Sequence, residues 1–130
     1  MRPNLVKYSW HDAEHLRVGG RIDVRVRYTL EYTRTNLQND LSLPRLASVA
    51  NISVWHICRL FKRELGISPI QYVKVLRLRS AAALLASSSL SIKEVMAAVG
   101  INDESHFVKD FKAFAGHYPT QYRTHHRTTQ

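Results

Sequence analysis

Residues 61–72 read FKRELGISPIQY and residues 111–122 read FKAFAGHYPTQY, the second a near copy of the first displaced by 50 residues. At that offset His56 pairs with His106, Arg59 with Lys109, Phe61 with Phe111, Lys62 with Lys112, Gly66 with Gly116, Pro69 with Pro119 and Tyr72 with Tyr122. Upstream the match continues at an offset of 49, pairing Leu46 with Val95, Ala50 with Val99 and Ile52 with Ile101. One extra residue therefore sits between the two registers, near Ser53 in the first copy and Asn102–Asp103 in the second. Insertions are tolerated in turns, so each copy is expected to turn there.

The flanking residues spell helix, tight turn, helix twice over. Ser42 can cap a helix that holds Pro44 in its opening turn, where a missing N–H costs little. Leu43, Leu46, Ala47 and Ala50 then recur at helical spacing. In the second copy Ser91-Ile-Lys-Glu94 is a capping box. Asn51 and Gly100 stand where these helices stop, and both residue types enter the left-handed turn at low cost. Ser53, and Asn102 or Asp103, are candidate caps for the helices that follow.

The second helix of each copy carries the chemistry. Ile57, Leu60, Phe61 and Leu65 form a buried stripe at helical spacing, which leaves Trp55, His56, Arg59, Lys62 and Arg63 for other faces. Phe107, Phe111 and Phe114 play the same part in the second copy, leaving Glu104, Ser105, His106, Val108, Lys109 and Lys112. An outward tryptophan among basic side chains suits a surface that meets a partner. A helix-turn-helix whose second helix offers large, hydrogen-bonding and cationic groups fits a DNA major groove. Between the copies, Ser68 caps and Pro69 opens a stretch of about 18 helical residues, about 27 Å long. Successive major-groove faces lie about 34 Å apart, so a stiff spacer of that length could set both helices on one side of a duplex.

Composition agrees with a folded binder of polyanions. The 130 residues are 45% hydrophobic and 9% aromatic, enough for one small domain or two sub-domains. The net charge is +9, and residues 41–130 carry 12 basic against 5 acidic side chains, so the repeat holds most of the excess. Such a field favours nucleic acid or an anionic membrane surface. No apolar run approaches the roughly 20 residues of a membrane span, and the N-terminus lacks the pattern of a secretory signal. With a single cysteine, Cys58, no internal disulfide forms. A cytoplasmic, nucleoid-associated protein is expected.

Through LxxLAxxANISxWHICRLFKRELGISPIQY, RLRSAAALL and IKEVMAAVGINDESHFVKDFKAFAGHYPTQYR, the chain resembles the AraC/XylS family of bacterial transcription regulators over about residues 22–124. The resemblance implies an all-α fold of about seven helices, forming two helix-turn-helix sub-domains (about 43–64 and 92–114) joined by a linker helix (about 69–87). It implies a sequence-specific regulator of double-stranded DNA, most often an activator, with RNA polymerase as a further candidate partner and neither cofactor nor catalysis. By position it places Val54, Trp55, His56, Cys58 and Arg59, and then Glu104, Ser105, His106 and Lys109, at bases. Arg45, Ser53, Lys62, Arg63 and Lys112 are candidate phosphate partners, which position without reading sequence. Arginine is frequent in the family where this chain has Lys109, and lysine lacks the planar fork that matches guanine. Glu104 and Asp110 add negative charge to the second reading helix. The first copy is therefore expected to dominate specificity.

The N-terminal third reads less directly. Residues 22–32 alternate as a strand would (Ile22, Val24, Val26, Tyr28, Leu30, Tyr32). A helix ending near Asn36, with Val24, Tyr28 and Tyr32 on one face, is preferred, because a lone strand has no partner. Residues 1–20 are expected to be a poorly ordered tail or linker remnant, too short to build a sensor pocket, so no small-molecule effector is expected on this chain. His11-Asp-Ala-Glu14-His15 matches the H-x-x-E-H pattern of a zinc peptidase, but no third ligand lies at a fitting distance. His125 and His126, with Arg123 and Arg127, read as a frayed basic tail, assigned to residues 125–130, rather than as a metal site.

Overall fold

The computed structural model describes residues 22–128, which form seven helices and no strand. They are α1 (Val24–Thr35), α2 (Leu43–Ala50), α3 (Val54–Leu65), α4 (Pro69–Ser87), α5 (Ile92–Val99), α6 (Glu104–Ala115) and α7 (Pro119–Thr128). The His11–His15 motif lies outside the described residues.

Helix boundaries follow local chemistry. Ser42, Ser53, Ser68 and Ser91 each sit in extended backbone and accept a hydrogen bond from the backbone N–H three residues on, while Asp103 does the same for α6. The Ser91 box is closed reciprocally, with Glu94 accepting from the Ser91 N–H at 2.8 Å. Asn51 (φ 60°) and Gly100 (φ 82°) end α2 and α5 in the left-handed region. The turn after α2 needs three residues before Val54 and the turn after α5 needs four before Glu104, which is the extra residue read from the repeat.

Two apolar clusters result. The first gathers Leu46, Ile57, Phe61, Leu65 and Tyr72, with Val26 and Leu30 of α1; the second gathers Leu85, Val95, Val99, Phe107 and Phe111. The long helix α4 is more than a spacer. Its first half places Tyr72, Val73 and Leu76 in the first cluster and its second half places Leu78, Ala81, Ala82 and Leu85 in the other. Each half-domain is completed by the same 19-residue helix, about 28 Å long.

Helix α1 forms as expected, and its inward face is set by the threonines as well as by apolar residues. Val24 and Tyr28 are 70% and 59% exposed, whereas Val26, Thr29, Leu30 and Thr33 are buried. The two threonines can be buried because each hydroxyl donates to a carbonyl of its own helix, Thr29 to Arg25 at 2.8 Å and Thr33 to Leu30 at 2.7 Å. At its start Asp23 accepts from the Arg25 N–H, and the Asp23 N–H donates to the Glu64 carboxylate of α3 at 2.9 Å.

The stretch read as a tail from residue 125 is helical as far as Thr128. The His126 ring stacks on Tyr122 with centroids 3.8 Å apart, and its Nδ1 lies 3.0 Å from the Tyr122 carbonyl. Arg123 donates through Nε to the Leu85 carbonyl at 3.1 Å and through Nη2 to that of Leu90, and Arg127 donates to that of Ser88. These cations satisfy carbonyls at and just beyond the C-terminal end of α4, where positive charge is favoured.

Acid should weaken the capped start of α1. The Arg25 guanidinium bonded to Asp23 holds that carboxyl at about 2. A depressed carboxyl contributes stability that is present above its unfolded value near 4 and lost as pH falls toward 2. Asp23→Asn, which keeps a capping oxygen, should flatten the fall in urea midpoint between pH 4 and 2, and Asp23→Ala should cost about 1 kcal/mol at neutral pH.

Candidate nucleic-acid interface

Helix α3 turns Ile57, Leu60, Phe61 and Leu65 into the core, and this fixes what faces out. Trp55 is 66% exposed and Val54 38%, while His56 and Cys58 are half-buried beside them and Arg59 is exposed. The Arg59 guanidinium carbon lies 4.7 Å from the centroid of the Trp55 ring, one helical turn back. This cation–π contact limits the rotamers of both side chains before any partner arrives. Ser53 accepts from the His56 N–H at 3.0 Å, and a hydroxyl that accepts as a cap still has its proton to donate. Lys62 is exposed; Arg63 is also exposed and pairs with Glu64 at 3.4 Å.

Helix α6 repeats this presentation with different chemistry. Glu104, Ser105, His106 and Lys109 are all exposed, and Phe107 and Phe111 are buried. His106 Nδ1 stands 3.1 Å from Asp103 Oδ2, and the His106 N–H bonded to the Asp103 carboxylate lowers that carboxyl's pKa. Glu104, in the first turn of α6, sits where the helix dipole favours an acid.

Two residues are placed differently from the expectation. Asp110 adds no charge to the outward face; it is buried and reaches back to Lys74 of α4, Nζ to Oδ2 at 3.1 Å. Lys112 is exposed, but its ammonium donates to the Gly116 carbonyl at 3.1 Å and lies 5.1 Å from the Tyr118 ring centroid, folded over the end of its own helix. The exposed cations of the two helix-turn-helix units are thus Arg45 on α2, Arg59, Lys62 and Arg63 on α3, Lys93 on α5, and Lys109 and Lys112 on α6.

Sequence reading missed the groups that join the two halves. Arg77 of α4 donates from Nη2 to the carbonyls of Leu37 (3.0 Å) and Asn39 (3.1 Å) in the loop between α1 and α2. Burial lowers its pKa, opposed by Asp40. A cleft of about 680 Å3, lined by Asp40, Ser42, Lys74, Arg77, Asn102 and His106 among others, runs between that loop and the second turn. The available signal was the comparison of copies, since Asp110 stands where the first copy has Leu60.

Among the described residues no group of three or more His, Cys, Asp or Glu side chains could hold a metal ion, and no helix is long and apolar enough to cross a membrane.

Comparison with known proteins places this geometry. A helix-turn-helix domain model matches residues 46–125. The lactose operon transcription activator of Staphylococcus xylosus is 30% identical over 100 residues, which is 77% of this chain and 36% of that protein. The chain spans about a third of the length of the first curated relatives it matches. Among solved structures, the C-terminal domain of AraT, a response regulator from Geobacillus stearothermophilus, superposes with a TM-score of 0.76 at 34% identity, covering 85% of this chain and 89% of that one. The DNA-binding domain of AdpA, a global transcriptional factor, in complex with a target DNA, gives 0.71 at 26% identity, with 82% and 92% covered.

Proposed function

Because the chain belongs to the AraC/XylS family of helix-turn-helix transcription regulators, we propose that it binds double-stranded DNA sequence-specifically by laying α3 and α6 into adjacent major grooves. The observation that carries this reading is the repeated presentation. Two helices of 12 residues, each capped at its start and buried along one stripe, leave equivalent outward faces with large, hydrogen-bonding and cationic groups. A net charge of +9 supplies the sequence-independent attraction to phosphate.

Within that reading Arg59 makes a bidentate contact to guanine, and Trp55 packs on a thymine methyl or a sugar. Val54, His56 and Cys58 border the same bases. Glu104, Ser105, His106 and Lys109 read the second groove more loosely, because an ammonium lacks the guanidinium fork and a carboxylate can only accept, as from a cytosine amine. Lys62, Arg63, Arg45 and Ser53 hold phosphates, and Lys112 does so after leaving Gly116. Activation is the role favoured by the activators among the relatives, and within this reading RNA polymerase is the further partner and the cytoplasm the location. The chain binds and does not catalyse, and no effector is assigned to it.

Selection from a random duplex pool tests this directly. Two short blocks should emerge, centred about one helical turn apart, with the block under α3 the more restrictive. Recovery of a single block would remove α6 from base reading; recovery of none would remove the proposal.

A further inference from the structure

The two copies share one helix-turn-helix plan, with one more residue in the second turn, and differ at two positions that bear on how the units meet. Asn51 and Gly100 both end their helices in the left-handed region, at φ 60° and 82°. A side chain at φ 82° is strained whatever the space around it, and Gly100 meets a second, steric demand as well. A Cβ placed on Gly100 would stand 2.0 Å from the Leu37 carbonyl oxygen and 3.1 Å from Arg77 Nη2. Leu37 belongs to the loop of the first unit, and the same carbonyl accepts from Arg77.

The second difference lies on the reading helices. Leu60 of α3 is buried in its own cluster, whereas its counterpart Asp110 is buried yet reaches Lys74, one turn from Arg77 on α4. A buried carboxylate needs a partner, and here the partner sits on the linker helix. Two cations three residues apart on α4 thus hold the first unit's loop and the second unit's reading helix, and the missing Cβ of Gly100 lets the two units close on each other.

We infer that Gly100, Arg77 and the Lys74–Asp110 pair form an inter-unit latch that fixes the angle between α3 and α6, and so selects the spacing of the two DNA blocks. These are positioning residues, and the inference about spacing rests on the two-groove reading above. One added base pair moves the second block by about 3.4 Å and rotates it by about 34–36°. A rigid pair of helices cannot follow that, and the gain from binding both blocks at once is lost when geometry forbids it.

Two variants copy the first unit's solutions and so are expected to fold: Gly100→Asn, which keeps a left-handed turn but adds a Cβ, and Asp110→Leu, which removes the pair without stranding a carboxylate. Circular dichroism and cooperative unfolding verify folding. Spin labels at Arg63→Cys and Ala113→Cys, in a Cys58→Ala background, report the distance between α3 and α6 in the free protein. Duplexes carrying the selected blocks at the selected spacing and at one base pair more or less report DNA reading. The parent should give one narrow distance and favour one spacing by roughly tenfold or more. Both variants should give broadened or shifted distances and a preference below about threefold, with affinity for a single block unchanged. Unchanged distances in both variants would overturn the latch. Altered distances with an unchanged spacing preference would overturn its role in DNA reading. A parent that selects no duplex removes the functional reading, and the distance measurement then decides the latch by itself.

Discussion

Phe111→Ala should cost the second helix-turn-helix about 3–5 kcal/mol, the usual loss for truncating a fully buried phenylalanine. Phe111 is 0% exposed, and its ring meets three others: Phe107 at 5.6 Å, Phe114 at 6.5 Å and Tyr122, edge-on, at 5.3 Å. Phe107 and Phe114 lie on α6 with it, and Tyr122 carries the contact to α7. Domains of this size are stable by about 5–15 kcal/mol, so the loss consumes a large part of the margin. The effect should be local at first, because the two apolar clusters are separate and α4 alone enters both. Amide hydrogen exchange should show protection lost across α5, α6 and α7 while α2 and α3 keep theirs. Equal loss in both halves would mean that the domain unfolds as one unit.

What could be read from the chain, and what could not, divides along a physical line. Serines at 42, 53, 68 and 91, asparagine or glycine at the turns and apolar residues at helical spacing act within a few residues of themselves, so the repeat disclosed both helix-turn-helix units. The inward face of α1 could not be chosen by hydrophobicity. Two threonines outcompeted Val24 and Tyr28 for burial by bonding to their own backbone. Asp110 looked like a surface acid because its partner Lys74 is 36 positions away. The same distance hid Arg123, whose neighbours Leu85 and Leu90 precede it by more than 30 residues. Outward residues such as Trp55 and Arg59 were legible by elimination, once the buried stripe of α3 was assigned.

That elimination makes Arg59 the sharpest test of the interface. Arg59→Ala should weaken binding to the selected duplex by about 1–3 kcal/mol, roughly 5–150-fold, because a bidentate contact to a base is lost. On random duplex the same variant should lose only a share of the general attraction to phosphate. Lys62→Ala supplies the contrast: its loss should be equal on both duplexes, and the dependence of affinity on salt should flatten by roughly one unit. Arg59→Lys separates charge from shape, since it keeps the cation and removes the fork, and it should behave on the selected duplex much as alanine does. Trp55 adds a further expectation, because the guanidinium carbon rests 4.7 Å from its ring centroid and is partly ordered there. Trp55→Ala should therefore reduce discrimination at the base under Arg59 as well as at its own. Fluorescence anisotropy on both duplexes, at two salt concentrations, measures all four variants. If Arg59→Ala weakens selected and random DNA by the same factor, this guanidinium holds a phosphate and the reading of bases by α3 falls to Trp55 and His56.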